Sequence, residues 1–263
     1  MTRRRIDAEL VRRGLARSRE QARDLVAGGN VLLAGVVATK PATQVTDAAS
    51  IVVRAPSGPS YASRGGHKLA GALDGFGLDP AGRDSLDAGA STGGFTDVLL
   101  RRGAARVLAV DVGYGQLAWS VRSDPRVTVL DRTNVRELQV GALPFRPDLV
   151  VADLSFISLT LVLPALARVA TDEADLVLMV KPQFEVGRDR VGAGGVVRDG
   201  ALRAGAVRRV ADAGAAAGLG CRGVLASPLP GPSGNVEYFL WLTRTAPPLR
   251  DDELTRAIEE GPR

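Results

Sequence analysis

From residue 85 to residue 242 the chain repeats one pattern, a short apolar run followed by a turn and a longer segment with helical spacing. The apolar runs fall at 85–89, 106–111, 127–130, 148–154, 175–180, 223–226 and 236–242, and the helical segments near 64–75, 95–102, 115–121, 158–170 and 200–217. Strands that read apolar throughout need cover on both faces, and alternating helices supply it only when the strands run parallel. The expectation is an α/β fold with a doubly wound, mostly parallel sheet. Between the last two runs lies only the turn-rich segment 227–235, too rich in Pro and Gly for a helix. Those two strands are therefore expected to pair as a hairpin, with an antiparallel last strand at the sheet edge.

The first strand runs into Asp87-Ala-Gly89-Ala-Ser91-Thr92-Gly93-Gly94-Phe95. Glycines at a strand end let the backbone approach a ligand and open a helix whose free amides face it. Their spacing, Gly-x-x-x-Gly-Gly, is not the Gly-x-Gly-x-x-Gly that cradles a pyrophosphate. Asp111 closes the next strand, where a carboxylate can accept hydrogen bonds from both hydroxyls of a ribose. Together these features point to an adenosine-type ligand held by Asp87, Gly89, Ser91, Thr92, Gly93, Gly94, Phe95 and Asp111. Asp87 is expected to contact the ligand's amino-acid end or to orient the loop. Asp131, just past the third strand, has two readings, an adenine contact or a surface turn residue. The loop spacing and the terminal hairpin match the S-adenosylmethionine methyltransferase form of the doubly wound fold rather than the dinucleotide form.

Of 34 basic residues only Lys40, Lys68 and Lys181 are lysines. Arginine can replace most surface lysines, but not one that must lose its proton. Lys181 ends the fifth strand, Asp153 the fourth, Glu237 opens the last, and Lys68 starts the helix before the sheet. Open α/β sheets build their sites at that carboxyl edge. Taken singly, each of these residues is as often a structural cap as a functional group. Jointly, beside a methyl-donor loop, they form a compact near-neutral cluster suited to handling the proton of an alcohol. An amine takes such a proton only when it is itself neutral, which desolvation and a second cation favour, while carboxylates hold it in place. Whether Lys181 is the base or only orients the hydroxyl stays open. His67, the only histidine, reads as a solvent-facing helix-start residue and is assigned no catalysis. Phe156 either stacks on an extruded base or is buried against the sheet. Residues 192–195 read as a mobile loop able to close over substrate.

The charge is concentrated at the N-terminus. Residues 1–54 hold 10 Lys/Arg against 5 Asp/Glu, whereas residues 55–263 hold 24 of each. This basic segment is patterned to fold. Ile6, Leu10 and Val11 share a helical face ending at Gly14, and Ser18 with Gln21 can cap a second helix buried through Ala22, Leu25 and Val26. Residues 31–33 and 36–37 flank Ala34-Gly35 as a hairpin. Such a basic segment suits a polyanion such as nucleic acid, or is simply a solvated basic face, and charge alone leaves both readings open. Arg4, Arg5, Arg17, Arg19 and Arg23 are the candidate contacts.

These residues carry resemblances. Arg5-x-Asp7-x-x-Leu10-x-x-x-Gly14-x-x-x-Ser18-Arg19-x-x-Ala22-x-x-x-Val26-x-x-Gly29-x-Val31 resembles the RNA-binding domain first described in ribosomal protein S-four. The order Lys68, Asp153, Lys181, Glu237 resembles the tetrad of FtsJ-type RNA 2′-O-methyltransferases. With Ser63-Arg-Gly-Gly-x-Lys68-Leu, Asp111-Val-Gly-Tyr-Gly-Gln-Leu, Asp153-Leu-Ser-Phe-Ile-Ser-Leu and Val180-Lys-Pro-Gln-Phe-Glu, the whole chain is similar to the TlyA family, often labelled haemolysin A. That resemblance implies 2′-O-methylation of cytidine in 16S and/or 23S rRNA of ribosomal subunits, with S-adenosyl-L-methionine as donor and a link to sensitivity to cyclic peptide antibiotics. The competing readings are a non-enzymatic RNA-binding ribosome factor, a membrane-active haemolysin and a nicotinamide-dependent enzyme.

Further expectations bound the reading. No apolar run approaches the ~20 residues of a membrane span, and the N-terminus lacks a signal-peptide pattern. The lone Cys221 supports no internal disulfide, and no Cys/His cluster suggests a metal. A cytoplasmic protein is expected, of unspecified oligomeric state. The expected organisation is an RNA-binding domain at 1–54, a linker at 55–62, a methyltransferase domain at 63–246 and a charged tail at 247–263.

Overall fold

In the computed structural model, residues 3–16, 18–54, 60–231 and 233–261 are described, and the chain divides into two compact units, Met1–Ser60 and Tyr61–Arg263. In the N-terminal unit, β1 (Arg3–Arg5) leads into α1 (Ile6–Arg12), which ends where Gly14 takes φ +70°. α2 (Arg19–Ala27) follows Ser18, whose Oγ accepts a hydrogen bond from the Gln21 N–H at 3.1 Å and satisfies a first-turn amide. β2 (Val31–Leu33) and β3 (Val36–Val37) join through Ala34 and Gly35, both at positive φ, the two-residue turn that matches strand twist. β4 (Gln44–Thr46) pairs with β1, and β5 (Ile51–Val53) with β2. Ile6, Leu10, Ala22, Val26 and Val31 form the core, with Val11 and Leu25 at its margin.

The second unit runs α3 (Arg64–Phe76), β6 (Asp84–Ala88), α4 (Gly94–Arg101), β7 (Arg106–Val110), α5 (Trp119–Arg122), β8 (Val127–Leu130), β9 (Leu149–Ala152), α6 (Leu163–Val169), β10 (Asp175–Val180), α7 (Pro182–Glu185), α8 (Gly200–Ala216), β11 (Gly220–Ala226), β12 (Tyr238–Thr243) and α9 (Asp251–Glu260). The strands form one seven-stranded sheet in the order β11-β12-β10-β9-β6-β7-β8. The five from β10 to β8 are mutually parallel, and β12 is antiparallel to both its neighbours. Side chains alternate between the faces: Leu176, Leu178 and Val180 of β10 enter one core with α6 and α8, and Val177 and Met179 enter the other with α3 and α4. Each fully buried leucine, such as Leu86 or Leu149, contributes about 1.5–3 kcal/mol relative to exposure. This is the doubly wound sheet with an antiparallel last strand that the periodicity implies.

Four details differ from the sequence reading. The final hairpin forms, but β12 lies inside the sheet and β11 takes the edge. Composition explains the order: β12 is apolar and almost fully buried, whereas β11 carries Arg222 and Gly223 and tolerates one-sided pairing. Glu237 precedes β12 rather than opening it. The helix expected at 115–121 shrinks to the single turn of α5, because Gly115 at φ +65° interrupts the helical path. Residues 247–263 were expected as an appended tail. Instead Leu249, Leu254 and Ala257 are buried in the main core, so α9 is integral to the second unit.

Candidate active site

The glycine loop after β6 is built by close approach. A Cβ on Gly89, which sits at φ +85°, would lie 2.7 Å from the Asp153 carbonyl oxygen, and one on Gly94 would collide with the Ser63 Oγ. Side chains are therefore excluded where the loop meets the end of β9 and the start of α3. Ser91 takes φ +46° and donates its N–H to Asp111 Oδ2 at 2.8 Å, while the Gly113 N–H binds Asp111 Oδ1 at 2.7 Å. Asp111 thus ties the glycine loop to the turn after β7 and keeps lone pairs for a ligand hydroxyl. Thr92 joins this tie through its carbonyl, which accepts from the Ala118 N–H at 3.1 Å. Asp131 does similar work, accepting from the Gly115 N–H and Arg122 Nη1, each at 3.2 Å. Gly93, at φ +94°, sits where a Cβ would press within 2.9 Å of Leu117. Phe95 departs from expectation. Its ring is buried in the core against Phe239, 6.1 Å away, leaving only its backbone near the loop.

Asp87 is wholly buried. Its Oδ2 accepts from Thr96 Oγ1 at 2.7 Å, and its Oδ1 has no hydrogen-bond partner. Burial pushes its carboxyl up to about 7 against the pull of Thr96, and the nearby charges of Asp153 and Asp111 push it further in the same direction. Three carboxylates that repel one another around a glycine loop make a site suited to a cation, and a sulfonium with an ammonium fits it. Thr96 is a residue that sequence reading missed. Its position three after Gly93, facing back across the loop, was the available signal.

The four residues expected as one cluster resolve into two ion pairs. Lys68 Nζ lies 2.5 Å from Glu237 Oε2, with side chains only 8% and 1% exposed. Lys181 Nζ lies 2.5 Å from Asp153 Oδ1 and donates to Ser155 Oγ at 2.9 Å, with Lys181 and Asp153 11% and 24% exposed. The pairs are neighbours: Gly65, one turn before Lys68 on α3, would place a Cβ 3.6 Å from Asp153 Oδ2. The Lys68 pair is sealed, since a Cβ on Gly231 would lie 2.6 Å from Glu237 Oε1. The Lys181 pair is the more open one. An ammonium has three N–H donors, of which Ser155 engages one while Asp153 Oδ1 is in ionic contact without a hydrogen bond. Ser155 and Gly231 were not anticipated, since neither residue type signals a site by itself.

Phe156 is 91% exposed and takes φ +63°, so the burial reading fails. A bulky side chain at positive φ costs on the order of 1–3 kcal/mol and persists only where its surroundings fix it. Its ring stands 5.2 Å from that of Phe184, which in turn lies 6.0 Å from Lys181 Nζ. Glu185 holds the chain just after Phe156, accepting from Ser158 Oγ at 2.5 Å and the Leu159 N–H at 2.8 Å. Burial pushes the Glu185 carboxyl up despite these bonds. The loop at 192–195, expected to be mobile, is anchored. Asn235 donates to the Gly195 carbonyl at 2.8 Å and accepts from the Val197 N–H at 2.9 Å. His67 is half-buried, with its ring 5.0 Å from that of Tyr61 rather than facing solvent.

Among the candidate RNA contacts, Arg4 pairs with Asp47, and Arg5, Arg19 and Arg23 gather around Asp7. Arg17 lies outside the described residues. Among the described residues no group of His, Cys, Asp or Glu is arranged to hold a metal ion, and no helix is long and apolar enough to cross a membrane.

The chain resembles known proteins. The FtsJ-like methyltransferase family profile matches residues 61–244, and the S4 domain profile matches residues 4–51. The chain is 60% identical, across 98% of both sequences, to a Mycobacterium tuberculosis protein named 16S/23S rRNA (cytidine-2′-O)-methyltransferase TlyA. It is 39% identical to a Bacillus subtilis protein provisionally named an rRNA methyltransferase, over 98% of this chain and 93% of that one. A solved Streptococcus thermophilus structure with a provisional hemolysin name superposes with a TM-score of 0.77 at 36% identity, covering 99% of this chain and 97% of the other.

Proposed function

Because the chain belongs to the TlyA family of FtsJ-like methyltransferases, we propose that it transfers a methyl group from S-adenosylmethionine to the 2′-hydroxyl of a cytidine in ribosomal RNA. The single observation that carries this reading is the Lys181–Asp153 pair at the sheet's carboxyl edge, beside a glycine loop rich in carboxylates. When bound, the cofactor supplies an electrophilic methyl on a sulfonium. Asp87 and Asp153 would stabilise that positive charge, and Asp111 and Asp131 would hold the nucleoside end. Lys181 would bind the 2′-oxygen and handle its proton as the O–C bond forms and the methyl's bond to the donor sulfur breaks, the donor leaving as a neutral thioether, while Asp153 and Ser155 fix the amine. Lys68 and Glu237 form a neutral wall that excludes water without adding net charge. Phe156, strained and projecting into solvent, offers a stacking face for the target base once it is extruded. The basic N-terminal unit supplies affinity for rRNA within ribosomal subunits, and a cytoplasmic location goes with that substrate. An altered response to cyclic peptide antibiotics belongs to the same proposal.

The test is transfer of labelled methyl from the cofactor to isolated 30S subunits, 50S subunits and naked rRNA. A 2′-O-methyl protects the adjoining phosphodiester from alkali, so hydrolysis maps the modified ribose. Label in an alkali-resistant dinucleotide supports the reading; no transfer to any of the three substrates overturns it. The hemolysin name of some relatives predicts a different result, liposome leakage by the pure protein without RNA.

A further inference from the structure

The arginines of the N-terminal unit are not equivalent. Arg13, 22% exposed, is bound to Glu9 and to the carbonyls of Ala49 and Asp47, so it braces its own fold. Arg12 is held by Glu9 through two hydrogen bonds and Arg4 by Asp47. Arg5, Arg19 and Arg23 instead converge on one carboxylate. Asp7 is wholly buried, whereas the three arginine side chains are 41%, 54% and 57% exposed. Arg5 grips it through Nε and Nη2 at 3.1 and 2.9 Å, Arg19 Nη2 lies at 3.4 Å and Arg23 Nε at 3.5 Å.

Three guanidiniums this close repel one another, and an anion at their centre is what lets them gather. Each guanidinium has five N–H donors, and Asp7 engages two from Arg5 and one each from Arg19 and Arg23. The remaining donors, in a partly fixed array with net positive charge, suit an acceptor with several anionic oxygens, and a phosphodiester is such a group. Asp7 stays ionised at any pH used for binding, because Arg5 holds its carboxyl at about 2.

We infer that Asp7 is a positioning residue for RNA, holding Arg5, Arg19 and Arg23 together as a clamp on the phosphodiester backbone. The inference rests on the rRNA reading above and adds a counterintuitive sign to it. A carboxylate in the first turn of a helix also complements the helix N-terminus. If that were its whole role, removing its charge would leave RNA affinity unchanged or raise it, since the protein gains a positive charge.

The experiment uses the full chain with purified 16S and 23S rRNA across a series of KCl concentrations. Asp7→Asn is expected to weaken binding about tenfold and to lower the slope of log affinity against log salt by about one. The KM for rRNA rises while kcat holds. Unchanged or tighter binding overturns the inference. Should Asp7→Asn fail to fold, the triple replacement Arg5→Lys, Arg19→Lys, Arg23→Lys keeps the charge but loses the planar forks. It too should weaken binding about tenfold, because an ammonium meets a phosphate as a point charge where a guanidinium grips two of its oxygens. Wild-type affinity in that variant would overturn the clamp. A wild-type protein that neither binds rRNA nor methylates it defeats the functional reading itself. A wild-type protein that methylates rRNA, beside an Asp7→Asn variant that binds equally well, defeats only this inference.

Discussion

The Lys68–Glu237 pair allows a prediction whose magnitude follows from burial. The two side chains are 8% and 1% exposed, and Glu237 is packed so closely that Gly231 has no room for a Cβ. Removing one partner leaves the other without compensation in a site that water scarcely reaches, which costs about 3–5 kcal/mol. Lys68→Met and Glu237→Gln should therefore each destabilise the catalytic unit by about that amount. The double variant removes both charges and should lie within about 1 kcal/mol of wild type, since a buried pair gains little over uncharged residues of similar volume. The implied coupling energy is far above that of an exposed pair, ~1 kcal/mol or less. Both tryptophans, Trp119 and Trp241, lie in the catalytic unit, so urea unfolding followed by indole fluorescence reports on it selectively. The stable double variant should retain methyl transfer, since an uncharged wall still excludes water, whereas each single variant should lose it with its stability. Single variants within about 1 kcal/mol of wild type, or a double variant that loses the sum of the two, would refute the view of this pair as a sealed charge-compensated wall.

Asp87→Asn should change stability in a pH-dependent way. The folded carboxyl titrates at about 7 against 3.8 for an unperturbed one, so the folded state holds a proton that the unfolded chain has released. Wild-type stability therefore falls as pH rises from about 4 through about 7 and levels off above it. The variant gains over wild type across that window, by no more than about 4 kcal/mol at pH 8. Urea unfolding at pH 5 and pH 8 checks this, and an equal difference at both pH values contradicts it. The variant should also bind the cationic cofactor more weakly. Phe156→Ala should leave folding stability and cofactor affinity nearly unchanged, because the ring is almost wholly exposed. Its kcat/KM for rRNA should fall about 5- to 150-fold, the worth of one stacked base, and Phe156→Trp should retain activity. Full activity of Phe156→Ala would remove the ring from the mechanism.

The succession of strands and helices along the chain could be read from sequence because period and length distinguish buried parallel strands from helices. The glycine loop was legible because its backbone torsions admit little else. Residue order placed Lys68, Asp153, Lys181 and Glu237 at one sheet edge, yet it could not show that they divide into two pairs. That division depends on side-chain reach across α3, β9, β10 and the segment before β12. The internal position of β12 was not legible, because hairpin pairing is satisfied whichever member lies at the edge. Phe95 looked like a loop residue and is core, since α4 turns that face inward. Glu185, Thr96 and Asp7 were passed over for a common reason. Each acts by holding another residue, and such a role appears only when the partner's coordinates are known. Phe156 was undecided between core and surface until its positive φ and exposure settled it.

In the proposed reaction the Lys181 amine handles the proton of the acceptor hydroxyl. Single-turnover methyl transfer by Lys181→Arg, on the ribosomal substrate that wild type methylates, tests this most directly. The permanently charged guanidinium can still pair with Asp153, so folding and cofactor affinity should match wild type. The transfer rate should be lower by about 10²–10⁴-fold. A rate within about threefold of wild type would contradict it, since loss of a proton-handling group costs far more than that.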